Sequence, residues 1–258
     1  MLAQSINKIL FPLGIKISRL KNLYPVEASS REIEIINYIL RLDNPKEALS
    51  MVSIDRIWAI IQATKYIVKN NIEGDFVECG VWRGGCSLAM AMILDDLKVN
   101  RRIFLFDTFS GMTQPTSWDI DIHGHNAKDR LETSKKDGTN NIWCYASIED
   151  VKAQFTCLGL EQNTVFVEGD VLKTLDKKND LPKQISLLRL DTDWYQSTKH
   201  ELNILYPKLE TGGVLLIDDY GDWKGSKKAV DEYLEEEDLK DRCLFWKIDN
   251  TGRGLIKN

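Results

Sequence analysis

The hydrophobic pattern of the chain changes character near residue 75. Before this point, apolar residues recur at helical intervals, as in REIEIINYILRL and SIDRIWAIIQATKYIVKN, and Ser53 stands where a helix N-cap is expected. After it, short runs rich in Val, Ile, Leu and Phe alternate with helical stretches: DFVECG, RRIFLFD, TVFVEGD, ISLLRLD and GGVLLIDD. Continuous apolar runs of this length are typical of strands buried on both faces, and the intervening helices indicate βαβ crossovers.

The last segment, CLFWKIDNTGRGLIKN, places two apolar runs on either side of an Asn-Thr-Gly turn and therefore predicts a hairpin. Together the runs predict an α/β fold, a doubly wound, mainly parallel, seven-stranded sheet with an antiparallel edge strand. We assign residues 1–44 to an N-terminal helical lead-in or cap, and residues 45–258 to the main domain.

Composition and charge narrow the functional classes. Of 258 residues, 43% are hydrophobic and 28% charged, which is ordinary for a soluble globular protein. With a formal net charge of −5, the chain lacks the overall positive electrostatic field that is expected of a nonspecific nucleic-acid binder. No run of 18 apolar residues is present, and the cysteines are scattered without a CxxC motif. We expect a cytoplasmic protein with no nucleic-acid partner and no stable membrane insertion.

Each of the five predicted parallel strands carries an acidic residue at or near its C-terminal end. In open α/β sheets the ligand crevice lies outside these strand ends, so we place the site there. The acids in question are Glu78, Asp107, Glu168 with Asp170, Asp191, and Asp218 with Asp219.

The turn after the first strand, ECGVWRGGCS, is rich in glycine but matches neither GxGxxG nor the P-loop. An NTPase is therefore disfavoured. Asp107, at the end of the second strand, is placed to accept both ribose hydroxyls of a nucleoside. That geometry serves NAD or S-adenosylmethionine, and the bulky Trp82 and Arg83 in the first turn favour the latter.

Two pairs of acids follow neighbouring strands. Asp191 and Asp193 lie at the end of one strand, and Asp218 and Asp219 at the end of the next. Adjacent strands are about 4.8 Å apart, so these carboxylates should converge, and a hard cation such as Mg²⁺ would relieve their repulsion. The simpler alternatives to a metal site are that these acids are solvated at the rim of the sheet or that they are helix N-caps. Asp193 is placed to be either an N-cap or a general base.

Several long motifs resemble the macrocin O-methyltransferase family over roughly residues 45–258: GDFVECGVWRGG, FDTFSGM, GDVLKTL, LLRLDTDWYQSTKHEL and GGVLLIDDYGDWKGSKKAVDEYL. The resemblance implies a class I, Rossmann-like methyltransferase. Its expected reaction is Mg²⁺-dependent methyl transfer from S-adenosylmethionine to a hydroxyl of a small metabolite, a sugar or glycosylated natural product. A phenolic acceptor and a homo-oligomer, dimeric or larger, also fit the resemblance.

The resemblance also assigns residues. Asp191, Asp218 and Asp219 would bind the metal. Removal of the acceptor's proton needs a carboxylate within hydrogen-bond reach, so Asp191 or Asp193 would be the catalytic base. The cofactor-binding residues would be Glu78, Gly80, Ser87, Asp107, Ser110, Tyr145, Ser147 and Asp170.

Three other functions compete with this one. The first is methyl transfer to another acceptor, such as an amine, a catechol or a capsular sugar. The second is a nicotinamide-dependent oxidoreductase, which the missing GxGxxG motif disfavours. The third is a noncatalytic scaffold, which the intact carboxylates Asp191, Asp218 and Asp219 argue against.

Overall fold

The computed structural model describes residues 23–135, 142–177 and 181–258. Residues 1–22 of the predicted lead-in lie outside this part. The described strands are β1 (Asp75–Cys79), β2 (Ile103–Asp107), β3 (Thr164–Glu168), β4 (Ile185–Leu190), β5 (Leu209–Ile217), β6 (Phe245–Lys247) and β7 (Arg253–Ile256). The described α-helices are α1 (Ser30–Leu40), α2 (Ile54–Lys69), α3 (Gly85–Asp96), α4 (Ala127–Thr133), α5 (Ile148–Cys157), α6 (Val171–Thr174), α7 (Tyr195–Leu205) and α8 (Lys224–Glu236).

The described strands form one seven-stranded sheet in the order β3-β2-β1-β4-β5-β7-β6. The first five are parallel, and β7 runs antiparallel to both β5 and β6. The predicted fold class is confirmed, with one refinement. The antiparallel strand is β7, and it lies one position inside the edge of the sheet. This is because the hairpin places β7 beside β5 and leaves β6 as the edge strand.

Helices cover both faces of the sheet, and strand side chains alternate between them. On β1, Phe76 packs into a core with α1, α2, α3 and α5, while Val77 packs into a second core with α6, α7 and α8. Burial on both faces explains why the parallel strands read as continuous apolar runs rather than alternating ones.

Helix α1 belongs to the first of these cores. It begins at a capping box between Ser29 and Glu32, and its residues Ile35, Ile36 and Ile39 pack against α2 and α3 without solvent exposure. The described part of the predicted lead-in is therefore continuous with the main core. The division at residue 44 stays a prediction.

The strand order reverses between β1 and β4, where β1 pairs with β2 on one side and β4 on the other. At such a switch point the flanking crossovers lie on opposite faces and leave a crevice at the carboxyl ends of the strands. Among the described helices, none is long and apolar enough to cross a membrane.

Candidate active site

A cavity of about 230 Å³ opens at the carboxyl ends of β1, β2, β4 and β5. It lies where the sequence placed the ligand crevice. Most of the predicted site residues line it: Glu78, Gly80, Asp107, Asp170, Asp191, Asp193, Asp218 and Asp219.

Four predicted cofactor residues lie outside the cavity wall. Ser87 is fully buried behind Glu78 and donates a hydrogen bond to its carboxylate. Ser110 is exposed, and Tyr145 is 44% exposed beside a separate surface groove. Ser147 is the N-cap of α5, where its hydroxyl accepts from the Asp150 amide at 3.1 Å. Their contacts with the cofactor stay predictions.

Gly80 makes the tight turn that begins the cavity wall. Its φ of +83° is in the left-handed region, and a Cβ at this position would overlap the carbonyl oxygen of Asp191 on the neighbouring strand loop. The Asp191 amide donates to the Cys79 carbonyl at 2.8 Å, which ties the two strand ends together. Glycine is therefore needed here for packing of the β1 turn against the β4 turn.

We expect Gly80→Ala to destabilise the protein by about 2 kcal/mol more than Gly159→Ala, because of the added overlap with backbone. Gly159 is the matched control, since its φ of +68° also favours glycine but a Cβ there meets nothing within 4 Å. Urea unfolding of both variants measures the difference. Equal losses would show that the backbone around residue 191 moves aside at little cost.

The Asp107 carboxylate, at the end of β2, stabilises the turn that follows β1. It accepts hydrogen bonds from the amides of Val81 at 2.6 Å, Trp82 at 3.0 Å and Phe109 at 2.7 Å. Burial raises the pKa of Asp107, and these amides oppose the rise. The Val81 and Trp82 amides bind Oδ2, and the Phe109 amide and the Thr108 hydroxyl bind Oδ1. The contact of Asp107 with a ribose stays a prediction.

Asp170, just after β3, likewise holds the local backbone and lines the cavity. Its carboxylate accepts from the Leu172 amide at 3.0 Å as the N-cap of α6, and it also lines the cavity. The apolar side chains beside these two acids, Phe106 and Val171, line the same end of the cavity.

Arg189 is the central cation of the site, and sequence reasoning missed it. It lies on β4 with 2% exposure and forms ion pairs with Glu78 at 2.7 Å, with Asp191 at 2.7 Å, and with Asp218. The signal was present in the sequence, because an arginine inside the buried run ISLLRLD requires carboxylate partners.

A second cation, Arg56 on α2, approaches from the opposite side. Its guanidinium pairs with Asp218, with Asp249 at 2.9 Å and with Asp222 at 3.9 Å. Asp249 is in the β6–β7 turn and also accepts from the Ser53 hydroxyl at 2.6 Å. Asp218 is thus held between two guanidinium groups, and Arg56 links the hairpin to the site.

The carboxylates that converge are Asp191, Asp193 and Asp219, whose ligand oxygens all lie within 4.8 Å of one another. Asp218, which the resemblance assigned to the metal, lies next to this group and forms ion pairs with Arg189 and Arg56, so its role as a metal ligand stays a prediction. Three carboxylate oxygens at this spacing are hard donors that suit Mg²⁺.

The three carboxyl groups raise one another's proton affinity. Burial raises the pKa of Asp191 and Asp219 well above the usual range, and repulsion within the group raises both further. The pKa of Asp193 is raised to about 7 by burial and then by the Asp191 charge. Such mutual repulsion is what a bound divalent cation would relieve.

The segment that carries two of these acids has an unusual backbone. Asp193 has a φ of +64°, and the Trp194 amide donates to the Thr192 carbonyl at 2.7 Å, which closes a three-residue turn. The Asp193 amide donates to Asp219 Oδ2 at 3.1 Å. The turn aims the Asp193 carboxylate back toward the cavity rather than along the helix that follows.

The loop after β2 forms the outer wall of the site. Its Asp119 is fully buried and accepts from the Tyr195 amide at 2.7 Å, at the start of α7. Trp194 donates its indole N–H to the Thr113 carbonyl at 3.1 Å and packs edge-to-face on Trp223 at 4.9 Å. Residues 136–141, which follow this loop and helix α4, lie outside the described residues.

Comparison with known proteins adds the following. The family model described as macrocin-O-methyltransferase (TylF) matches residues 7–254. Demethyldecarbamoylnovobiocin O-methyltransferase of Streptomyces niveus is 32% identical over 215 residues, which cover 81% of this chain and 76% of that protein. The 8-demethyl-8-(2,3-dimethoxy-alpha-L-rhamnosyl)-tetracenomycin-C 4'-O-methyltransferase of Streptomyces olivaceus is 31% identical, with coverage of 83% and 77%. The solved structure of the O-methyltransferase NovP superposes with a TM-score of 0.74 at 27% identity, covering 88% of this chain and 98% of that one.

Proposed function

Because the chain belongs to the macrocin O-methyltransferase family, we propose that it transfers a methyl group from S-adenosylmethionine to a hydroxyl of a sugar or glycosylated natural product, with Mg²⁺ as cofactor. The family shows that the chain is an O-methyltransferase. The donor, the metal and the acceptor are our inferences from the site and from the relatives.

The cleft between the first two strand turns supports the choice of donor. Asp107 and Asp170 stand at one end of the cavity beside the apolar Phe106 and Val171. A slot with an apolar wall and carboxylate acceptors suits a flat base and the hydroxyls of a ribose. The first turn lacks the diphosphate-binding GxGxxG pattern, which disfavours a dinucleotide.

The observation that carries the proposal is the carboxylate group Asp191, Asp193 and Asp219 at the other end of the cavity. An alcohol is a poor nucleophile at neutral pH, so its proton must be removed as the new C–O bond forms. Mg²⁺ held by this group would lower the pKa of the acceptor hydroxyl and orient it. The residues present fit that ion, because all three donors are carboxylate oxygens from two adjacent strand ends.

Asp193 is the better candidate for the base. Among the described residues it has no ion-pair partner, whereas Asp191 accepts a charge-assisted hydrogen bond from Arg189. The turn at residues 192–194 aims the Asp193 carboxylate into the cavity, where it can accept the proton of the acceptor hydroxyl. Asp191 and Asp219 would then act mainly through the cation, while the cavity walls hold the two substrates in line for transfer.

Calorimetric titration with S-adenosylhomocysteine, in Mg²⁺ and again in EDTA, tests the donor, and a separate titration with Mn²⁺ tests the metal site. We expect micromolar binding in both buffers. With Mn²⁺ as the titrant, Asp191→Asn should bind the ion at least tenfold more weakly than the wild type, because one ligand charge is lost. Glu168→Gln is the matched control, since Glu168 also ends a strand but is exposed and outside the cavity.

Failure of S-adenosylhomocysteine to bind in either buffer would refute the donor. Equal Mn²⁺ affinity in wild type and Asp191→Asn would refute the metal site. Demethyldecarbamoylnovobiocin, the acceptor named for a relative, is the first compound to test for methyl transfer. Homo-oligomer formation and a cytoplasmic location stay predictions.

A further inference from the structure

Glu201 is a buried carboxyl group that the proposed mechanism does not use. It lies on α7 with no solvent exposure, and it does not line the cavity. Its Oε1 accepts a hydrogen bond from the Thr192 hydroxyl at 2.9 Å. Its other oxygen, Oε2, has no hydrogen-bond partner among the described residues.

Folding stability gives no reason for a carboxyl group at this position. A buried polar atom without a partner is unfavourable, and an apolar side chain of similar volume is often neutral or stabilising in its place. Burial raises the pKa of Glu201 well above its usual range, and the charges of Asp219 and Asp170 raise it further. Glutamine is therefore close to an isosteric copy of the uncharged group.

The partner of Glu201 links it to the site. Thr192 stands between Asp191 and Asp193, and its carbonyl closes the turn in which Asp193 has a φ of +64°. A non-glycine residue in this region is strained and persists only when its surroundings hold it. The side-chain hydrogen bond from Thr192 to Glu201 fixes the residue before the strained position, and the Ser197 hydroxyl donates to the Thr192 carbonyl at 3.3 Å.

We propose that Glu201 is a positioning residue for methyl transfer, which holds Thr192 and so keeps the Asp191 and Asp193 carboxylates in their converging arrangement. This inference rests on the proposed function for its catalytic consequence. Its structural part concerns how firmly the backbone of residues 191–194 is held, and amide hydrogen exchange measures this independently of turnover.

The test compares Glu201→Met with Glu201→Gln. Methionine removes the acceptor at similar volume, and we expect kcat to fall about tenfold or more, since small displacements of positioned groups slow such reactions strongly. The melting temperature should stay equal or rise, and S-adenosylhomocysteine affinity should stay within twofold. Glutamine keeps an acceptor for Thr192, so Glu201→Gln should retain kcat within threefold.

Thr192→Val removes the hydroxyl donor of this hydrogen bond and should lower kcat to a similar extent. Thr192→Ser keeps the hydroxyl and therefore the hydrogen bond. If both residues act through this bond, the double variant Glu201→Met/Thr192→Val should be no slower than the slower single variant. Wild-type kcat in Glu201→Met, or multiplied losses in the double variant, would overturn the proposal. A fall in kcat that only follows a loss of folded protein would overturn it as well.

Amide hydrogen exchange gives a readout that needs no acceptor. In Glu201→Met, the Asp193 and Trp194 amides should exchange at least tenfold faster than in the wild type, and in Glu201→Gln they should not. Unchanged exchange would overturn the positioning role. If the wild type transfers no methyl group but the exchange changes as expected, the role of Glu201 in holding the loop stands and the proposed function alone is refuted.

Discussion

Asp193→Asn is expected to lower kcat by a factor of about 10³, because the amide has the shape of the acid but cannot take the proton of the acceptor and brings no negative charge to the proposed cation. The variant should fold normally. Asparagine tolerates the left-handed region better than other non-glycine residues, so a φ of +64° at this position is retained. Steady-state kinetics with S-adenosylmethionine, and calorimetry with S-adenosylhomocysteine, separate the chemical step from binding. The affinity should change less than twofold.

Asp222→Asn is the control for this experiment. Asp222 also lines the cavity but lies outside the converging carboxylates, so we expect a loss of less than tenfold. If Asp193→Asn retains kcat within tenfold, the proton is taken elsewhere. Asp191, the alternative that the sequence left open, then becomes the candidate base.

The largest effect on stability is expected at Arg189. Arg189→Met leaves Glu78, Asp191 and Asp218 without their shared cation in a buried position, and we expect a loss of about 3–5 kcal/mol in the free energy of unfolding. Urea unfolding at pH 8 measures it. Adding Glu78→Gln to this variant removes one of the stranded charges and should recover part of the loss.

The pH dependence of this variant has a definite sign. Burial raises the pKa of Glu78 and Asp191, and losing the arginine removes the contact that opposes the rise. Carboxyl groups with a higher pKa in the folded state bind protons on folding. Their destabilisation is therefore relieved as the pH falls from the raised folded value toward the ordinary value of about 4. The deficit of Arg189→Met should be smaller at pH 5.5 than at pH 8, and a deficit independent of pH would contradict the assignment.

The sheet and the position of the site were predictable from the sequence for a simple reason. Parallel strands buried on both faces read as continuous apolar runs, and their carboxyl ends share one edge of the sheet. The acids after β4 and β5 therefore had to meet. Which of the two acids after β5 joins the converging carboxylates was not predictable, because Asp218 and Asp219 are adjacent and point in different directions. The choice depends on Arg56, which comes from a helix far away in sequence.

Other residues of the site depend on tertiary contacts in the same way. Asp107 was expected at the ribose, but the amides of the β1 turn already occupy one of its oxygens. Glu201 lies on the buried face of α7 with Ser197 and Leu205, a spacing of four residues that is visible in YQSTKHELNIL. The spacing predicts burial, but the contact with Thr192 depends on how the preceding loop turns.

The hairpin that supplies Asp249 has a consequence for the order in which the protein is assembled. Strand β7 is inserted between β5 and β6, although it follows the other six described strands along the chain. During synthesis, β5 is therefore an unpaired sheet edge until residues 253–256 leave the ribosome, and such edges are prone to pair with other chains. Arg56 also forms an ion pair with Asp249, which lies 193 residues later in the chain and is synthesised long after it. Contacts of such high sequence separation slow folding, so the ion pair between Arg56 and Asp249 forms only after the β6–β7 hairpin has docked on the sheet.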